Sequence, residues 1–194
     1  RSEGHACVEG SWGAEAGWQA KLRAQTLPLA LLEAFLPDDL SAQGTLQLTA
    51  QAQQPHAGKP QAELELSSAS GALLYQTVNQ ERLSFDYRDF QITGSMQEGV
   101  ARLATRAELG AAGRLNGRLE LPLSAFDPPS QRIEGTLTAR LGDMSFLQAL
   151  IPAVDQVKGE LAVDLAARGT LQEPDIDLDL ALKDGEVSLP TQGI

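Results

Sequence analysis

Most of the chain alternates between aliphatic and polar side chains. Since successive side chains of a β-strand point to opposite faces, each alternating segment predicts a strand with one apolar and one polar face. The segments are 46–52, 62–66, 115–121, 133–141, 158–165 and 175–182. Glycines between and beside these segments, Gly94 and Gly185 among them, are typical of tight turns, so we expect a meander of short antiparallel strands.

The alternation changes phase once, within residues 82–93. Apolar side chains occupy odd positions up to Tyr87 and even positions from Phe90 onward. One extra residue in the strand would return both groups to the same face. The sequence therefore predicts a β-bulge or a corner near Arg88 and Asp89.

Two apolar stretches do not alternate, and each predicts a short helix. They are residues 28–36, followed by Pro37, and residues 144–151, followed by Pro152. Pro28 suits a first helical turn and Asp143 suits an N-cap, while the prolines that follow cannot continue a helix.

The two predicted helices begin an internal repeat that covers 28–77 and 144–191. Leu32–Pro37 aligns with Leu147–Pro152 at an offset of 115 residues, and the strands that follow align at nearly the same offset. Residues 1–194 are thus expected to be one slice of a repetitive, elongated sheet, cut from a longer chain. A repeat of this kind disfavours a closed barrel, and its apolar face needs a partner.

Charge and composition exclude several classes of function. The chain has 15 Lys and Arg against 26 Asp and Glu, a net charge of −11, which argues against nucleic acid as a partner. Aromatic residues make up 5 % of the chain, so the apolar surface is mainly aliphatic. No apolar run approaches the roughly 18 residues of a membrane-spanning helix.

The titratable residues form no catalytic or metal-binding pattern, so we expect no enzyme activity, no metal and no cofactor. The single cysteine, Cys7, lies near His5 but lacks a third group to orient a nucleophilic pair. The acidic residues from Asp175 to Glu186 resemble a calcium loop, but Leu180 occupies the place where such a loop has glycine. A solvated strand face is the better interpretation.

Two glycine-containing segments predict hairpins. Gly110–Gly117 lacks both the lysine and the strand–loop–helix context of a phosphate-binding loop. Trp12 and Trp18 flank Gly13–Gly17, which is typical of a hairpin with aromatic packing. A carbohydrate-binding or interface role for the two tryptophans is the alternative.

Several motifs resemble the periplasmic, β-rich part of the TamB family, within the wider AsmA-like group. They are 143–152 followed by 158–161, then 168–174 with its alternating strand, and finally 183–194, which is similar to the family's C-terminal domain region. The specific part of the resemblance covers 136–194, and 26–75 repeat it more weakly.

The resemblance implies an inner-membrane-anchored protein that spans the periplasm of a Gram-negative bacterium. The expected fold is thus all-β with two short helices, and the resemblance implies that its curved antiparallel sheet folds into a half-pipe, the β-taco, with an apolar concave face. The resemblance also implies phospholipid transport and support of outer-membrane protein translocation and assembly, with an outer-membrane barrel of the Omp85 type (TamA-like) as partner through regions outside these residues. The family has no catalytic residues to carry over.

The apolar side chains at alternate positions of the strands form the candidate site, a hydrophobic groove for a phospholipid or another acyl-chain ligand. Burying an acyl chain yields about 0.8 kcal/mol per methylene, so a groove needs no polar anchor. The candidate groove residues are Leu46, Leu48, Leu64, Leu66, Leu115, Leu119, Leu121, Leu137, Leu161, Val163, Leu165, Ile176, Leu178, Leu180 and Val187. For any one of these residues, a place in an ordinary core is the competing interpretation.

Two other functions fit the same alternation. A scaffold or chaperone could template strands of outer-membrane barrel proteins by β-augmentation along an exposed edge. A plain β-sandwich binding domain would instead have a filled core and no exposed apolar channel.

Overall fold

The structure is a computed structural model, and it describes residues 4–31, 39–76, 82–109, 113–123, 131–142, 156–170 and 172–188. These residues form one antiparallel sheet of ten strands, whose order in space is their order along the chain. The strands are β1 (His5–Gly13), β2 (Gly17–Pro28), β3 (Leu40–Gln54), β4 (Gln61–Gln76), β5 (Arg82–Gln97), β6 (Val100–Glu108), β7 (Gly113–Pro122), β8 (Glu134–Leu141), β9 (Gln156–Gly169) and β10 (Pro174–Ser188). The prediction of an all-β antiparallel meander is confirmed.

The strands are longer than predicted. β4 and β5 have 16 residues each, which at about 3.3 Å per residue gives a sheet roughly 50 Å tall. Nine steps of about 4.8 Å between neighbouring strands give a width of roughly 43 Å. The sequence suggested shorter strands because it marks Gly94 and Gly185 as turns, whereas both lie inside strands, in β5 and β10.

The sheet is open and curved. β1 and β10 lie at its two ends, and no pairing joins them within the described ranges. The accessible surface is 13653 Å², whereas a compact globular protein of 20.7 kDa exposes about 8900 Å². An open sheet agrees with the expectation that the chain does not form a closed barrel. The half-pipe cross-section stays a prediction.

A small core lies on one side of β2–β5. Leu29, Ala42, Leu46 and Tyr87 are buried there. The partly buried residues that pack against them are Leu27, Leu66, Leu73, Phe90 and Leu109. The core therefore gathers side chains from β2, β3, β4 and β5 and from the residue after β6.

Tyr87 lies over a pair of glycines at the centre of this core. Gly44 of β3 pairs with Gly71 of β4, which pairs in turn with Tyr87 of β5. A Cβ atom on Gly71 would lie 2.6 Å from Tyr87 Cζ, so the ring occupies the space that a side chain there would need. The Tyr87 hydroxyl lies 2.8 Å from the hydroxyl of buried Ser68, and either oxygen can donate the hydrogen bond.

The bulge predicted near Arg88 and Asp89 is confirmed. The pairing of β5 with β6 shifts register between Arg88 and Gln91, and Asp89 has a φ of 48°. The shift brings Tyr87 and Phe90 to the same side of the sheet, where their rings meet edge to face with centroids 5.9 Å apart. The apolar side chains before and after the bulge thus share one core.

The left-handed backbone of Asp89 allows a direct test of the bulge. A β-branched residue there is expected to destabilise the fold by about 1–2 kcal/mol, because its Cβ clashes with the following carbonyl at positive φ. Asp89→Gly relieves this strain and is expected to be close to neutral. Urea denaturation of Asp89→Val and Asp89→Gly measures the difference, and equal stabilities would contradict a left-handed Asp89.

The helix predicted for residues 28–36 is not seen as an α-helix in its described part. Pro28 is the last residue of β2 and pairs with Thr45, and residues 29–31 are in a 3₁₀ turn. Proline lacks the N–H that a ladder needs, but the end of a strand tolerates it as well as the first turn of a helix does. Leu29 instead turns into the core. Residues 32–36 and the whole second helix, 144–151, lie outside the described residues.

The internal repeat stays a prediction, although one pair of its equivalent positions behaves alike. Gly44 and Gly159, which align at the offset of 115 residues, both have positive φ values, 135° and 119°. A register shift lies beside each of them, in the β3–β4 and β9–β10 pairings. Much of both repeat units lies outside the described residues.

Candidate functional site: two apolar rows across the sheet

The strand pairing arranges the apolar side chains at alternate strand positions into rows that cross the sheet. Side chains of directly opposed residues in an antiparallel pair lie on the same face. Following the pairings from β1 to β10 gives two unbroken rows, each with one residue from every strand. The first apolar row is Val8, Leu22, Ala50, Leu64, Gly94, Leu103, Leu119, Gly135, Ala167 and Ile176. The second apolar row is Ala6, Ala24, Leu48, Leu66, Ile92, Thr105, Gly117, Leu137, Leu165 and Leu178.

Glycines within these rows let leucines from the neighbouring strands approach one another. A Cβ atom on Gly94 would lie 3.0 Å from Leu103 Cδ2 and 3.3 Å from Leu64 Cβ. On Gly135, a Cβ atom would lie 3.2 Å from Leu119 Cδ1. The leucine side chains therefore spread over the glycine positions, and the first apolar row stays continuous where a side chain is missing.

The pairing brings most of the candidate groove residues together. Eight of the fifteen belong to the two apolar rows: Leu48, Leu64, Leu66, Leu119, Leu137, Leu165, Ile176 and Leu178. Leu115, Val163 and Leu180 share a shorter row with Ala107 and Ala139. Leu121 pairs with Ala101, and Leu161 pairs with Leu141 and Leu182.

Two candidate residues differ from the rest. Leu46 is 4 % exposed and packs within the core, so it offers almost no surface to a ligand. Val187 pairs with Val157 in the ladder, and its side chain lies outside the described part of the chain.

The rows are exposed to solvent at both ends of the sheet. Of the nine large hydrophobic residues that the described structure exposes, eight lie on the face that carries the two rows: Val8, Trp12, Trp18, Leu103, Ile176, Leu178, Leu180 and Leu182. Leu180 is 63 % exposed and Trp12 is 78 % exposed. Large apolar patches on a protein surface mark sites that contact an apolar ligand, a membrane or a partner.

The rows extend into strands that the sequence interpretation did not include. Val8 and Leu22 continue the first row into β1 and β2, and Leu103 carries it through β6. Trp12 pairs with Trp18 across the β1–β2 turn, which confirms the predicted hairpin. In β1 and β2 the alternation includes alanine and glycine, so hydrophobicity alone gives a weak signal there.

The opposite face, here called the polar face, carries charged and amide side chains held by cross-strand contacts. Arg102 Nε lies 2.9 Å from Glu120 Oε2, and Arg140 contacts both carboxylate oxygens of Asp164 at 3.0 and 3.1 Å. Gln91 Nε2 donates to Glu65 Oε1 at 2.8 Å. These contacts join β4 to β5, β6 to β7 and β8 to β9.

An open cleft of about 580 Å³ lies on the polar face between β5 and β8, and is called the β5–β8 cleft below. Its polar-face lining is Gln91, Thr93, Ala104, Arg106, Asn116, Arg118, Thr136 and Thr138. The sequence alone does not show this cleft, because its residues come together only through the register of four strands.

The described residues place no three His, Cys, Asp or Glu side chains where they could share a metal ion. Asp175, Asp177 and Asp179 are exposed and pair with Arg168, Ala166 and Asp164 of β9.

Gly113–Pro122 pairs with β6, which confirms the hairpin predicted around Gly110–Gly117. Within the described ranges no helix has the length and hydropathy to cross a bilayer.

Comparison with known families identifies the chain. Residues 2–182 match the TamB N-terminal domain. The match is to the N-terminal and not the C-terminal domain, and the segment that suggested the C-terminal region, 183–194, lies beyond it. No solved structure matches the chain. Because the domain match covers nearly all of its length and the sheet agrees with the expected all-β fold, the chain belongs to the TamB family.

Proposed function

We propose that the two apolar rows hold the acyl chains of phospholipids and guide them across the sheet toward the outer membrane. TamB proteins are membrane-anchored bacterial proteins that span the periplasm, in a family of transport and assembly proteins. In this proposal the chain is one segment of such an inner-membrane-anchored protein. It works with an outer-membrane barrel of the Omp85 type and also supports assembly of outer-membrane proteins.

One observation carries the proposal: the exposed large hydrophobic residues gather on the face that bears the rows. Nineteen of the twenty residues in the two rows lack a polar side chain, and Thr105 is the exception. A row of this kind attracts hydrocarbon by burial alone, at about 25 cal/mol per Å² of apolar surface. Burial has no preferred direction along the row, so a chain can slide between positions of similar energy.

The half-pipe is the geometry that this function requires. β-bulges bend strands and increase their twist, and the sheet has register shifts within β2, β3, β5 and β10. If the sheet curves around the rows, Leu178 at one end and Ala6 at the other line the same trough. The core around Leu46 and Tyr87 then closes part of that trough, and the exposed residues of β10 and β1 provide its open surface.

The test compares two neighbouring positions of β10 that face opposite ways. Leu180 lies on the face with the rows, and Ala181 lies on the polar face. A photoreactive benzoylphenylalanine replaces either residue, and the protein is irradiated with vesicles of phosphatidylethanolamine and phosphatidylglycerol. Mass spectrometry is expected to find a phospholipid adduct at position 180 and none at 181. No adduct at 180, or equal adducts at both positions, would contradict the proposal.

A second candidate function is favoured by the edge of β10. This strand has 15 residues, its described side chains are exposed, and within the described residues it pairs with β9 alone. A long edge strand offers its backbone N–H and C=O groups to another strand. As a templating scaffold, β10 would cross-link to unfolded outer-membrane barrel proteins from positions 180 and 181 alike, because strand addition uses the backbone and not one face.

A further inference from the structure

We propose that the β5–β8 cleft on the polar face binds a phosphate-type oxyanion, either as a soluble phosphate ester or as the headgroup of a lipid. The cleft lies on the opposite side of the sheet from the apolar rows. The inference therefore stands on its own residues and does not rest on the proposed transport of acyl chains.

Two arginines without a carboxylate partner carry this inference. Arg106 and Arg118 both line the cleft, and neither forms an ion pair or a hydrogen bond within the described part of the chain. Arg106 pairs with Asn116, and Arg118 pairs with Ala104, so the two arginines are diagonal neighbours on adjacent strands. Diagonal neighbours lie about 7–8 Å apart, close enough for two guanidinium groups to reach one anion between them.

Two further arginines that flank the cleft on this face are already neutralised, which leaves Arg106 and Arg118 as the arginines that line it. Arg102 is paired with Glu120, and Arg140 with Asp164. Glu65, on the far side of Gln91, accepts a hydrogen bond from the Gln91 amide. Of the carboxylates bordering the cleft, three are thus engaged with neighbours, and no Asp or Glu lines the cleft itself.

The remaining lining suits an oxyanion. Ala104 lies next to Arg106 along β6 and opposite Arg118 on β7, and its small side chain leaves the floor of the cleft open. The amides of Gln91 and Asn116 flank Arg106 on the neighbouring strands, and the hydroxyl of Thr136 lies opposite Arg118 on β8. Two guanidinium charges match the charge of a phosphate monoester, about −1.5 to −2 at pH 7. Guanidinium groups bind phosphate oxygens through paired N–H donors.

The experiment follows the arginine side-chain Nε–H signals of the full chain by NMR during titration with inorganic phosphate at constant ionic strength. The signals of Arg106 and Arg118 are expected to shift in a saturable way. Arg106→Gln and Arg118→Gln are each expected to weaken binding about tenfold, the loss that follows removal of one charged hydrogen-bond donor. Glu134→Gln, which removes an acidic side chain diagonal to Arg118, is expected to strengthen it.

Arg82→Gln is the matched control. It removes the same charge from β5, about 30 Å along the strand from Gln91, and is expected to leave binding unchanged. If Arg82→Gln weakens binding as much as Arg106→Gln does, the attraction is general and the proposed site is wrong. The absence of any saturable shift, or tighter binding of a tetraglutamate peptide than of phosphate, would also overturn it.

A flotation experiment with vesicles distinguishes a lipid headgroup from a soluble phosphate ester. The chain is floated with phosphatidylcholine vesicles that contain phosphatidic acid, and the same variants are compared. If flotation depends on Arg106 and Arg118, the cleft accepts a lipid headgroup. If flotation is insensitive to these arginines while inorganic phosphate binding depends on them, the cleft takes a soluble phosphate ester.

Discussion

Replacing Leu178 and Leu180 together by aspartate is expected to abolish uptake of a fluorescent phospholipid by the chain. Fully burying a leucine is worth about 1.5–3 kcal/mol, and a ligand can cover the exposed half of each side chain, so losing two removes about 2–3.5 kcal/mol. This is a drop of at least about thirtyfold in affinity, before the cost of desolvating two carboxylates. Fluorescence titration of the wild-type chain and the double variant measures the effect.

Ala181→Asp is the control for this experiment. It adds a carboxylate to the same strand on the polar face, next to Leu180 and opposite Ala162. Uptake by this variant is expected to match the wild type. Both leucines are more than half exposed, so the double variant is expected to keep its fold, which circular dichroism checks. Unchanged uptake by the double variant would refute a role for the second apolar row.

Tyr87→Ala is expected to destabilise the sheet by about 3–5 kcal/mol. The ring is 6 % exposed, meets Phe90 edge to face and covers the backbone at Gly71. Its removal leaves a cavity in the core and uncovers two paired glycines. Since a domain of this size has a total stability of about 5–15 kcal/mol, the variant is expected to unfold at a much lower urea concentration.

Tyr87→Phe isolates the hydroxyl group. It keeps the ring over Gly71 and removes the hydrogen bond to Ser68, for an expected cost of about 1 kcal/mol. A result in which the two substitutions cost the same would show that the hydroxyl, and not the ring, holds the core together.

The alternation predicts the strands well because it reports which face each side chain occupies. It even places the bulge, since Tyr87 and Phe90 can share a core only if one residue between them is extra. Membership of a row is a different matter, because a row depends on the register between strands. The register is also set by the register shifts in β2, β3 and β10, whose positions the alternation does not show.

The two largest gaps in the sequence interpretation have the same physical origin. Pro28 fits a helix start and a strand end equally well, and the packing of Leu29 against Leu46 and Tyr87 decides between them. Arg106 and Arg118 are twelve positions apart and look like two solvated charges in sequence. Only the hairpin of β6 and β7 makes them neighbours. In both cases a contact between distant residues supplies the information that a local pattern lacks.

A sheet whose strands follow one another in chain order can change its extent only in certain steps. Removing a complete up-and-down pair leaves the next strand starting from the same end, with its aliphatic side chains on the same surface. Removing one strand would make every later strand run the opposite way and force each turn to the other rim. Relatives of different size should therefore differ by whole hairpins, and each row of aliphatic side chains should lengthen or shorten by two residues at a time.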